Sequence, residues 1–242
     1  MKIIGVIPAR YQSSRMPGKP LADILGKPMI WWVYQEAVKA KGLDQVVIAT
    51  DDDRIAEKCR ELGMDYLMTS ASHDTPTSRI YEVSTKLDAD LYLQIMGDEP
   101  LINVAAFDLI LPETLPEDPY YVAGITNVME NPADVIDFSN QKVACNQKRE
   151  ILLISRSPIP YPKGRLDIQY EKITGIQLFS KQALAFYNAT PKSILEKAEE
   201  NDLMRFVENG HKVHAICSPY KTVSVDTPKD LTLVQEILKQ RN

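Results

Sequence analysis

The sequence predicts an α/β fold, a mostly parallel sheet with helices on both faces plus a small antiparallel insertion. Three observations predict it. Short β-branched runs alternate with amphipathic stretches through Ile95. The first and last of these apolar runs stop in loops rich in Pro, Gly or Asp. Between about residues 111 and 170 the rhythm changes to prolines and short strand-like runs, after which helical patterns return.

Lys2 to Ile7 is β-branched and ends at Pro8, as a strand buried on both faces does. Pro28 to Lys41 carries Ile30, Val33, Tyr34 and Ala37 on one helical face. Gln45 to Thr50 is the next strand, and Asp51-Asp52-Asp53 caps a helix starting near Arg54. Met64 to Met68 and Asp90 to Ile95 follow as strands, the latter stopping at Gly97-Asp98-Glu99-Pro100. In the insertion, Lys142 to Ala144 and Ile151 to Ile154 read as strands around an Asn146 to Arg149 turn. Lys181 to Tyr187 and Leu195 to Glu208 read as helices, and Thr222 to Leu238 as strand, turn and helix. One domain therefore spans residues 1–242, with an inserted subdomain at about 111–170. Open parallel sheets bind ligands at the carboxyl ends of their strands, which directs attention to the loops after Ile7 and Ile95.

Composition narrows the function. With 28 Lys plus Arg against 33 Asp plus Glu the chain is mildly acidic, which argues against nucleic-acid binding by a broad basic face. Cys59, Cys145 and Cys217 lie far apart with no CxxC pair, so neither a disulfide framework nor a zinc knuckle is expected, and a reducing cytoplasm is. The apolar run at the N-terminus lacks a long h-region, and no stretch approaches the ~20 apolar residues of a membrane span. Neither export nor membrane insertion is expected.

The loop Pro8 to Pro20 sets three cations, Arg10, Arg15 and Lys19, beside the hydroxyls of Ser13 and Ser14, directly after the first strand. Arg presents a planar fork to phosphate oxygens, Lys a point charge, and Gly18 lets the backbone approach closely. The spacing is not that of a Walker A loop, and no GxGxxG follows the first strand, which disfavours a dinucleotide enzyme. The plain alternative is a solvated basic loop. Asp98, after a core strand, and the distant Asp226 offer the hard oxygens that Mg²⁺ prefers. Asp98 also reads as a turn residue before Pro100, and Asp226 as a helix N-cap before Thr227-Pro228.

The segments PARYxSxRxPGKPL (8–21), GKPMI (26–30), ATDD (49–52), GDEP (97–100), SRSPIPYP (155–162) and VDTPKDL (225–231) occur in an order that resembles one known family. It is that of the cytidylyltransferases making CMP-activated ulosonic acids, most closely the CMP-3-deoxy-manno-octulosonate synthetases. The resemblance covers nearly the whole chain and implies a fold of the nucleotide-diphospho-sugar transferase type, with the inserted segment serving a homodimer. It implies CTP and a small acidic sugar as partners, transfer of CMP with release of pyrophosphate, and Mg²⁺ held by Asp98 and Asp226. By the same resemblance Pro8, Ala9, Arg10, Ser13, Arg15, Lys19, Arg79 and Gly97 would bind the nucleotide. Arg10, Arg15, Lys19 and Asp98 would carry the catalysis, with Lys19 as the main cation.

Departures from the family pattern fall mostly on the acceptor side. His73 to Arg79 replaces the family's SGTER and puts Pro76 where that motif has Gly, and Met96 stands where the family has Gln. Ile173 to Phe179 replaces HxGxYxY, and Asn201 to Arg205 replaces LEQLR. Arg156, Gln177 and Arg205 are the expected acceptor contacts, and the acceptor is expected to differ from the usual octulosonate. Two other readings stay open: a nucleotidyltransferase for another sugar or NTP, and a CTP-binding paralogue with little turnover.

Overall fold

In a computed structural model describing residues 1–12, 16–164 and 168–241, the first apolar run forms strand β1 (Ile3–Ala9). Two short strands, β2 (Asp23–Ile24) and β3 (Lys27–Pro28), lead into helix α1 (Met29–Ala37). Then come β4 (Gln45–Thr50), α2 (Asp53–Glu61), β5 (Tyr66–Met68), α3 (Pro76–Lys86) and β6 (Leu91–Ile95). The middle of the chain supplies α4 (Ala105–Ile110), β7 (Val122–Val128), α5 (Pro132–Ile136), β8 (Lys142–Cys145) and β9 (Ile151–Ser155). The remainder is β10 (Glu171–Ser180), α6 (Lys181–Ala189), α7 (Ile194–Glu199), α8 (Leu203–Glu208), β11 (Val213–Cys217) and α9 (Pro228–Arg241).

The main sheet runs β11-β7-β10-β6-β1-β4-β5, with β10 antiparallel to both neighbours and the other neighbours parallel. Alternating side chains of β1 build two cores. Ile3, Ile7 and Ala9 face α1, α2 and α4, while Ile4 and Val6 face α3, α6 and α8. Each fully buried Ile or Val here contributes about 1.5–3 kcal/mol. A third cluster joins Ile24 and Met29 to Val225, Val234 and Leu238, so α9 packs on the first hairpin. The Gln235 amide seals that contact by donating to the Asp23 carbonyl at 2.9 Å.

Three expectations need correction. The inserted subdomain does not begin near residue 111, because β7 lies inside the main sheet between β11 and β10. The stretch from about residue 129 to 170 departs from the main strand path, through α5 and the β8–β9 hairpin, which joins the sheet by pairing with β10. Leu195 to Glu208 is two helices rather than one, since Glu200 adopts φ 52° and Asn201 accepts from the Leu203 N–H. No strand begins at Thr222; the last strand is β11, followed by an extended segment.

Candidate functional site

Because β1 and β6 are parallel neighbours, they end on one edge of the sheet, and Arg10 and Gly97-Asp98 emerge side by side. Gly18 brings Lys19 to the same edge. It sits at φ 71°, a left-handed conformation that favours glycine, and its N–H donates to the Tyr11 carbonyl at 2.8 Å. A Cβ there would come within 3.0 Å of the Tyr11 ring, which the Arg54 guanidinium covers at 3.2 Å from its centroid. The single 3-10 turn Lys19–Leu21 then carries Lys19 Nζ to 2.6 Å from Asp98 Oδ2 and 3.2 Å from Asp226 Oδ1.

Asp226 reaches this point because the Val225 N–H donates to the Asp98 carbonyl at 2.8 Å, pinning the extended segment beside the end of β6. It does not cap α9. Thr227 and Asp230 do so reciprocally, the Thr227 N–H donating to Asp230 Oδ2 at 2.8 Å and the Asp230 N–H to Thr227 Oγ1 at 3.4 Å. The Asp226 carboxylate accepts from Lys19 Nζ at 3.2 Å.

Two cavities meet at Asp98 and Asp226. The smaller, about 420 Å³, is lined by Pro8, Ala9, Arg10, Lys19, Arg79 and Gly97 among others. Ser13 and Arg15 lie outside the described residues. Arg10 is exposed at this cavity, and among the described residues it makes no ion pair. Arg79 is anchored, donating to Thr69 Oγ1 at 2.6 Å and Asp51 Oδ2 at 3.2 Å. Gly97 has a packing reason of its own: a Cβ there would meet Ile30 Cδ1 at 3.0 Å and the Pro8 carbonyl at 3.2 Å. Pro76 occupies the first turn of α3 behind its N-cap Thr75, where a missing N–H costs nothing.

His73 also lines this cavity, held by Glu82 at 2.5 Å. Burial pushes the Glu82 carboxyl up, but Lys86, the Ser70 N–H and His73 outweigh it and hold the pKa down to about 2. A carboxylate depressed from 4.5 stabilises the fold above its unfolded pKa and loses that contribution as pH falls through the folded value. Glu82→Gln is therefore expected to lower the urea midpoint at pH 7. The gap to the unmutated protein should narrow between pH 4.5 and about 2. A gap independent of pH across that window would refute the linkage.

The larger cavity, about 960 Å³, takes in Gln94, Met96, Glu99, Arg156, Lys172 and Gln177 on the far side of Asp98. Arg156 and Gln177, two of the expected acceptor contacts, both line this cavity. Arg156 is partly engaged, donating to the Phe138 and Glu199 carbonyls at 3.1 and 3.2 Å and to Glu200 at 3.4 Å. Arg205 is a correction. It is 6% exposed, grips Glu196 through two bonds of 2.6 and 2.5 Å, and donates to the Tyr187 and Thr190 carbonyls. Its guanidinium also lies 3.7 Å from the Tyr187 ring centroid, so it braces α6, α7 and α8 and lines neither cavity.

Met96 packs on Gly175, where β10 bulges; a Cβ at Gly175 would fall 2.3 Å from Met96 Cγ. Glu99 accepts from the Gly175 N–H at 3.2 Å and from Ser224 Oγ at 3.4 Å. Burial, then the neighbouring Asp98 charge, pushes its carboxyl up to about 7. Sequence reasoning missed Gln94, Glu99 and Lys172 as cavity residues. The available signal was Gln94 itself, a polar residue in the otherwise apolar run of β6.

Asp98 and Asp226 suit a hard cation. Among the described residues no cluster of three or more His, Cys, Asp and Glu forms a metal cage. Two carboxylates facing a cavity, with water and phosphate completing the shell, are the set on which Mg²⁺ is ordinarily held.

The chain is similar to known proteins along nearly its whole length. A family model described as cytidylyltransferase matches residues 4–213. A 3-deoxy-manno-octulosonate cytidylyltransferase of Escherichia coli is 36% identical over 239 residues, covering 99% of this chain and 97% of its own. A solved structure of CMP:2-keto-3-deoxy-manno-octonic acid synthetase complexed with CTP superposes with a TM-score of 0.94 at 36% identity, covering both chains fully. The inositol-1-phosphate CTP transferase of T. maritima shares the fold at a TM-score of 0.69 and 16% identity, over 98% of this chain and 95% of its own. Among the described residues no helix is long and apolar enough to cross a membrane.

Proposed function

The chain belongs to the cytidylyltransferase family, and from that premise we propose that it transfers CMP from CTP to a 2-keto-3-deoxy sugar acid of the octulosonate type, releasing pyrophosphate. One observation carries the reading: Lys19, Asp98 and Asp226 converge within 3.2 Å where the two cavities meet. A nucleotide in the smaller cavity puts its phosphates against Arg10 and Lys19, and an acceptor in the larger one brings its hydroxyl to the same point. Phosphoryl transfer asks mainly for positioning and charge neutralisation, which a lysine supplies directly and paired carboxylates would supply by holding a divalent cation.

Mg²⁺ is the proposed cofactor, held by Asp98 and Asp226. When bound it polarises the phosphate oxygens and offsets their charge. Lys19, by contrast, is a fixed cation of the chain itself, and Arg10 orients the nucleotide from the rim. The replacements at Met96, Ile173, Gln177 and Phe179 support an acceptor preference that departs from 3-deoxy-manno-octulosonate. Exposed Ile136, Phe138, Leu152 and Tyr161 on the 129–170 excursion support a homodimer, which sedimentation equilibrium would weigh directly.

The deciding experiment measures pyrophosphate release with Mg²⁺, four NTPs and a panel of 2-keto-3-deoxy acids. Release with CTP and at least one acid supports the reading. Preference for another NTP, or CTP binding without release across the panel, overturns it.

A further inference from the structure

Eight buried side-chain oxygens have no hydrogen-bond partner among the described residues, and four of them belong to residues that line the larger cavity. They are Gln94 Oε1, Gln177 Oε1, Glu99 Oε2 and Thr222 Oγ1. Folded proteins satisfy nearly all buried polar groups, so half of the exceptions in one cavity mark a place prepared for a ligand. Gln94 and Gln177 are the core of this group. They face each other across the antiparallel β6–β10 ladder, so both amides rise from the same side of the sheet. They are 3% and 8% exposed, and the backbone of two paired strands fixes them. Glu99, 4% exposed, borders the pair through its bond to Gly175.

We propose that Gln94 and Gln177 act as a hydroxyl-reading pair that sets which sugar acid the enzyme accepts. This rests on the CMP-transfer reading above and adds to it a specificity site. Amide carbonyls held without partners need donors, and the hydroxyls of a polyhydroxy acid supply them. A buried acceptor oxygen discriminates strongly against a ligand lacking the matching hydroxyl, because the site is then left unpaired. The pair lines the larger cavity and not the nucleotide cavity, so it would meet the acceptor rather than CTP.

Gln94→Met and Gln177→Met keep side-chain volume and remove the amide. The probes are 3-deoxy-manno-octulosonate, its C4 and C5 epimers, and its singly deoxygenated analogues. For each variant, kcat/KM is measured across this set, CTP affinity by calorimetry, and the melting temperature without ligand. Selectivity between the best acceptor and its deoxygenated analogue is expected to fall about 10-fold or more. The loss should lie in acceptor KM, with CTP affinity unchanged. The melting temperature should equal or exceed that of the unmutated protein, since an unpaired buried amide has been removed. A merely structural glutamine would give the opposite melting shift.

Selectivity equal to that of the unmutated enzyme, or a parallel loss of CTP affinity, overturns the proposal and leaves the CMP-transfer reading standing. An unmutated enzyme inert toward every probe and every other panel acid overturns both.

Discussion

Lys19→Ala is expected to lower kcat for CMP transfer about 10²- to 10³-fold, the loss typical of removing one preorganised charge-stabilising donor. The Lys19 side chain is only 14% exposed and is held by two carboxylates far apart in the chain. It therefore pays no reorganisation cost when negative charge develops on the phosphates. Its removal also takes the ammonium away from Asp98 and Asp226, which raises the demand for a bound metal ion. Lys19→Arg should recover only part of the rate, because a planar fork replaces a compact point charge between the two carboxylates. Pyrophosphate release under saturating CTP and acceptor measures the effect, and CTP calorimetry separates it from binding. A Lys19→Ala enzyme with most of its turnover intact would remove Lys19 from the catalytic machinery.

The first half of the sheet was legible because its signals are local. β1, β4 and β6 are mostly apolar runs, and their expected limits differ from the observed ones by at most a few residues. The Lys19–Asp98 meeting was legible too, since both residues follow strands whose ends share one edge of a parallel sheet. What escaped was non-local. β7 hides among prolines and declares itself only by pairing with β10 and β11. β10 has its alternation broken by the register shift between Ile173 and Gln177, so its ten residues give no clean period of two. Gln94 and Glu99 became visible as site residues only once β10 was laid against β6. Arg205 shows the reverse failure. A lone arginine near the end of a family-like motif suggested a carboxylate partner in the ligand, whereas the partner is Glu196, nine residues away in the chain.

That assignment carries the second large expected effect. Arg205→Met should destabilise the fold by about 3–5 kcal/mol, because it strands the Glu196 carboxylate, whose side chain is 3% exposed, without its counter-charge. It also frees the Tyr187 and Thr190 carbonyls that the guanidinium now satisfies. Adding Glu196→Gln removes the stranded charge while keeping an oxygen for the Ser193 N–H, so the double variant should be more stable than Arg205→Met alone. Urea denaturation of the two single variants and the double gives the coupling directly. Kinetics then separate bracing from binding: assayed well below its melting temperature, Arg205→Met should keep the acceptor KM of the unmutated enzyme. A rise in acceptor KM without loss of stability would return Arg205 to the ligand, and with it the reading that the α7–α8 junction forms part of the acceptor site.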